Sequence, residues 1–147
     1  MTNGRPVNVL LVDDDSVDRK VVQRAFARHN IAHPLIEARD GIEALQIIRG
    51  ENGYAPLPRP YIVLLDVNLP RMNGIEFLSA IRGDTRLRDS VVFVLTTSRA
   101  EQDRVLAYQL NVAGYIVKAD AGPGFVDAVK LLDHYWRVVE LPSRGVQ

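Results

Sequence analysis

The chain contains no cysteine, which excludes disulfides, thiolate metal sites and a cysteine nucleophile. Histidine is scarce: His29, His33 and His134 are scattered, and none has ligand spacing or an evident partner, so none is assigned a role. Charge of either sign is not in excess. Lysine and arginine total 18 against 18 acids, leaving no global field to draw in nucleic acid or an anionic membrane surface. Long apolar runs are missing too, since nothing approaches the roughly 20 residues that span a bilayer. The opening "MTNGRPVNVL" is too polar for a signal peptide. The expectation is a cytoplasmic protein with no nucleic-acid and no membrane partner.

What is present is an ordinary globular composition, 47% hydrophobic and 24% charged over 147 residues, enough for one domain with a sizeable core. Short runs rich in Val, Ile and Leu occur at 7–12, 61–66, 91–96 and 113–118 without polar alternation. Strands buried on both faces of a parallel sheet read this way. A weaker strand at 33–38 carries Glu37, which places it at a sheet edge. Helical periodicity fills the intervals. Val17, Val21, Val22, Ala25 and Phe26 mark the first helix, with Ser16 or Asp15 as its N-cap. Ile42, Leu45 and Ile48 mark a second helix, closed by "GENG", and Ile75, Leu78 and Ile81 a third. Val105, Leu106 and Leu110 mark a fourth, and a fifth runs from about Pro123 to Glu140. This alternation predicts an α/β fold, a doubly wound five-stranded parallel sheet.

Ligands of such sheets bind beyond the C-terminal ends of the strands, where strand order reverses. Polar groups collect at those ends: Asp13, Asp14 and Asp15 after the first strand, Asp66 at the third, Thr96 at the fourth and Lys118 at the fifth. With the order 2-1-3-4-5, Asp13, Asp14 and Asp66 converge. Carboxylates brought together need a cation, and oxygen ligands with room for water suit Mg²⁺. A lysine and a hydroxyl facing them add what a phosphoryl group requires, countercharge and a hydrogen-bond donor. Taken singly, each feature has a plainer explanation, as a solvated turn, a strand-end hydroxyl or a surface charge. Their joint arrival at one sheet edge is what points to a site.

The acidic pair, "LLDVNLPRMNG" (64–74), "VLTTS" (94–98) and "GYIVK" (114–118) resemble the receiver domain of two-component response regulators, from about residue 7 to 141. Thr96 follows Asp66 by 30 residues and Lys118 follows by another 22, spacings that coincide with the bacterial chemotaxis receiver. The resemblance implies a flavodoxin-like (CheY-like) sheet, from which the strand order is partly taken. It implies Asp66 as phospho-acceptor for a sensor histidine kinase, and Asp14 as a direct Mg²⁺ ligand. Asp13 would orient the metal or its water, and Asn68 would give it a backbone carbonyl. Thr96 would turn toward the phosphoryl group, Lys118 would pair with it, and Tyr115 would be the aromatic switch. Asp15 matches no such role and is read as helix-start chemistry.

Three features depart from the family pattern. Ala119 stands where a proline usually follows the lysine, Thr97 is bulkier than the usual alanine or glycine, and the loop at 50–60 is long. That loop, together with "YWRVVELP" (135–142), resembles single-domain response regulators that partner phytochrome kinases. On the last helix, apolar residues from Phe125 to Val139 cover about half the circumference, more than the roughly 100° stripe a sheet requires. The surplus around Leu131, Tyr135 and Val138 predicts a homodimer through the fourth helix, fifth strand and fifth helix. The expected organisation is a receiver over 7–141 with tails at 1–6 and 142–147 and no output domain. Such a chain would act through a partner protein, return phosphate to a histidine phosphotransfer protein or act as a sink, and reset by slow hydrolysis of its own acyl phosphate.

Two other readings compete. A receiver-like module that binds partners without taking phosphate is disfavoured by the complete set of acids, threonine and lysine. A Mg²⁺-dependent aspartyl phosphatase needs a second acid two residues after the nucleophile, where this chain has Asn68.

Overall fold

The computed structural model describes residues 7–28, 33–66, 69, 71–96 and 110–117. Five parallel strands form one sheet: β1 (Asn8–Val12), β2 (Leu35–Ala38), β3 (Tyr61–Asp66), β4 (Val91–Thr96) and β5 (Gly114–Val117), in the order β2-β1-β3-β4-β5. Three helices are described with them, α1 (Ser16–Arg28), α2 (Gly41–Arg49) and α3 (Gly74–Gly83). The expected fourth and fifth helices, with Leu131, Tyr135 and Val138, lie outside the described residues, as do Asn68, Thr97, Lys118 and Ala119. Among the described residues no helix is long and apolar enough to cross a membrane.

The period-2 geometry of strands divides the core in two. Leu10, Val12, Val63, Leu65, Val92 and Val94 face α2 and α3, where Leu45, Ile48, Phe77, Leu78 and Ile81 pack on them. Val9, Leu11, Ile62, Leu64, Phe93 and Leu95 face the other way, onto Val22, Ala25 and Phe26 of α1. Covered on both sides, the central strands have no use for polar alternation, which accounts for their uniform hydrophobicity. β2 sits at the edge, as Glu37 implied, and its Leu35, Ile36 and Glu37 are only half-buried.

The expected face of α1 needs correction at one end. Val17 is 65% exposed, while burial begins at Val22. The first turn of α1 leaves its apolar residue in solvent, and the helix packs on the core only from its second turn. His33 also has a partner, because its Nδ1 accepts a hydrogen bond from the Val7 N–H at 2.9 Å. It ties the residue entering β1 to the one entering β2.

Helix ends follow local chemistry. Asp40 caps α2 by accepting from the Glu43 N–H, and Asn73 and Glu76 form a reciprocal capping box on α3. Gly50 ends α2 in the left-handed region, φ 75°, with a Cβ position that would lie 2.5 Å from Pro56. The long loop that follows is pinned: Leu57 is buried and its N–H donates to the Ile47 carbonyl at 3.1 Å. At the far end of α3, the half-buried Arg82 donates to the carbonyls of Ser90 at 2.7 Å and Leu110 at 2.7 Å. It thus fixes the chain entering β4 and the chain leading toward β5.

Candidate functional site

The parallel register assembles the acidic cluster. Val12 of β1 pairs with Leu65 of β3, so Asp13 and Asp66 are the next residues along neighbouring strands. One carboxylate oxygen each from Asp13, Asp14 and Asp66 lies within 4.8 Å of the others. Asp13 is 1% exposed and Asp66 8%, whereas Asp14 opens to solvent. Thr96 is the last residue of β4, one step beyond the Leu95–Asp66 pair, and Tyr115 pairs with Val94 in β5. The structure therefore brings together the three expected acids and sets the backbone of Thr96 at the same sheet edge.

Asp13 is held through several groups. Its N–H donates to the Ala38 carbonyl at 3.0 Å, continuing the β1–β2 ladder by one residue. Its Oδ1 accepts from the Asp15 N–H at 2.9 Å. Asp15 in turn accepts from the Val17 N–H with its side chain at 2.8 Å and from the Arg19 N–H with its carbonyl at 3.0 Å. That is helix-start chemistry, and it separates Asp15 from the metal-binding candidates.

Three clustered carboxylates, two of them buried, fit an oxygen-seeking divalent cation: like charges so close and so poorly solvated repel unless a cation offsets them. The donor set contains no sulfur or imidazole that would favour a softer metal.

A cleft of about 570 Å³ opens beside Asp14 and reaches Asp40, Glu43, Tyr54 and Arg71. Asp40 accepts from the Arg71 Nε at 3.0 Å and from a second nitrogen of the same guanidinium. Burial pushes the Asp40 carboxyl up, but hydrogen bonds from the Glu43 N–H and Arg71, with the guanidinium charge, outweigh this and hold it below its ordinary value. Glu43 behaves alike: burial raises it, while the Arg39 N–H and the Tyr54 hydroxyl more than compensate. The Gly41 N–H donates to the Met72 carbonyl at 3.3 Å, and a Cβ at Gly41 would lie 2.8 Å from that oxygen. The loop after β3 is thereby docked on the first turn of α2.

Arg19, Asp40 and Arg71 carry no role that the sequence motifs assign. Asp40 carried a usable signal, an N-cap acid three residues before Glu43. Arg71 had none, because nothing local announces a partner 31 residues away.

A family model described as the response regulator receiver domain matches residues 9–130. Response regulator Rcp1 of Synechocystis sp. (strain ATCC 27184 / PCC 6803 / Kazusa) is 35% identical over 139 residues, 94% of this chain and 95% of its own length. The crystal structure of the phosphorylated cyanobacterial phytochrome response regulator RcpA superposes with a TM-score of 0.86 at 36% identity, covering 95% of this chain and 100% of RcpA. The Mn²⁺-bound form of Rcp1 superposes with a TM-score of 0.83 at 34% identity, covering 93% of this chain and 99% of that one.

Proposed function

This chain belongs to the response regulator receiver family, and we propose that Asp66 accepts a phosphoryl group from a sensor histidine kinase of the phytochrome type. The observation that carries this reading is the convergence of Asp13, Asp14 and Asp66 within 4.8 Å at the β1/β3 edge. Members of this family are signalling switches, and the kinase assignment rests on likeness to RcpA and Rcp1.

In the proposed transfer, a carboxylate oxygen of Asp66 attacks the phosphorus of a phosphohistidine. The P–N bond breaks, its electron pair returns to the imidazole, and an acyl phosphate remains on Asp66. Asp13, Asp14, Asp66 and the Asn68 carbonyl would hold Mg²⁺. When bound, that ion offsets the carboxylate charge and the negative charge of the phosphoryl oxygens. Thr96 bonds one of those oxygens and Lys118 pairs with another. Tyr115 turns inward as Thr96 moves, which changes the protein-binding surface of the fourth helix, fifth strand and fifth helix. Pairing of two copies through that surface, with Leu131, Tyr135 and Val138, completes the reading. Return of phosphate to a histidine phosphotransfer protein, or slow hydrolysis at Asp66, resets the switch.

Radiolabelled phosphotransfer tests the assignment. A bacterial phytochrome kinase should label the wild-type chain within seconds to minutes and leave Asp66→Asn unlabelled. Equal or faster labelling by unrelated sensor kinases would refute the phytochrome partnership.

A further inference from the structure

Two charged residues stand where the fold asks for apolar ones. Arg19 lies three residues before the buried Val22 and seven before the buried Phe26, on the inward stripe of α1. Glu37 lies inside β2, paired in register with Leu11. The structure joins them. The Arg19 Nε donates to Glu37 Oε1 at 2.9 Å, and its Nη1 donates to the Asp13 carbonyl at 2.7 Å. The Arg19 side chain is 15% exposed and that of Glu37 31%. Gln23, one turn further along α1, donates to the other Glu37 oxygen.

We infer that Arg19 is a positioning residue for the acidic cluster, with Glu37 as its anchor. Asp13 is fixed at both main-chain groups, its N–H by Ala38 and its carbonyl by Arg19. With both ends of the residue held, its carboxylate is aimed before any cation arrives. The planar guanidinium is suited to this task because one fork serves two acceptors in fixed directions, whereas an ammonium is a single movable point. Groups that orient a metal's ligands typically change its affinity by about ten- to a hundredfold. The inference rests on the reading of Asp13 as part of the metal site.

The charge of Arg19 makes the test two-sided. A cation beside the cluster repels a bound metal, so a purely electrostatic influence predicts tighter metal binding when it is removed. Positioning predicts weaker binding. Mn²⁺ titrations followed by electron paramagnetic resonance, on the whole chain, would compare wild type, Arg19→Met and Arg19→Lys. Thermal melts would confirm that each is folded. The expected result is about a tenfold rise in Kd for Arg19→Met and a smaller rise for Arg19→Lys. The Mg²⁺ concentration for half-maximal phosphorylation should rise in parallel, with the maximal rate changing less. Should Arg19→Met fail to fold, Arg19→Lys decides the matter. Wild-type affinity in Arg19→Lys, or unchanged or tighter Mn²⁺ binding in a folded Arg19→Met, overturns the inference alone. Failure of the wild type to bind Mn²⁺ overturns the metal-site reading and the inference with it.

Discussion

Asp13 and Asp66 stand side by side one step beyond the Val12–Leu65 pair of the parallel ladder. Their meeting is a consequence of register, not of loop geometry. A one-residue slip would exchange the side chains packed on α1 with those packed on α2 and α3, so the register of the covered sheet is held by both layers of the core. The acids are placed by the same contacts that hold the core.

Phe77 is fully buried where α3 meets the sheet. Phe77→Ala should cost about 3–5 kcal/mol, through lost transfer energy and an unfilled cavity. Urea unfolding would register this as a lower midpoint with an unchanged slope.

The Asp40–Arg71 pair makes stability sensitive to acid. The folded-state pKa of Asp40 is lowered, so its contribution is present above the unfolded value of about 3.8 and is lost as pH falls through the folded value. Glu43 shifts in the same direction and adds to the effect. Asp40→Asn should therefore lower the unfolding midpoint at pH 7, and the gap from wild type should narrow at pH 3. A gap that stays constant between those conditions would contradict the assignment.

Gly50 closes α2 with φ 75°, against Pro56. Gly50→Ala adds a Cβ in a conformation that disfavours it and forces Pro56 aside. The substitution should destabilise by more than about 1 kcal/mol in chemical denaturation, the reverse of the gain seen where alanine fits.

We propose that the bulk of Thr97 slows reset by crowding the path of an attacking water, so Thr97→Ala should lose its phosphoryl group faster than wild type. Following phosphoprotein decay by mass spectrometry would measure this, and equal lifetimes would remove the idea.

Much of this was legible in the chain because it depends on period and position. Runs such as "YIVLLD" announce strands covered on both faces, and Glu37 announced the edge. Asp13, Asp14 and Asp66 could be placed together once the strand order was adopted. What escaped depends on distance in three dimensions. Val17 fits the helical stripe, yet it stands exposed, because how far along a helix the packing begins is not written in its period. Arg71 finds Asp40 only after the β2–α2–β3 crossover is folded. His33 caps a strand entry from 26 residues away. Arg19 and Glu37 left a trace, each a charge on an apolar pattern, but neither trace identified the other.

The most direct test of the account is the mass of the intact chain after incubation with acetyl phosphate and Mg²⁺. The account predicts one phosphoryl adduct, mapping to Asp66, absent in Asp66→Asn and suppressed when EDTA removes the metal. An adduct that persists in Asp66→Asn, or no adduct on the wild type, would contradict it.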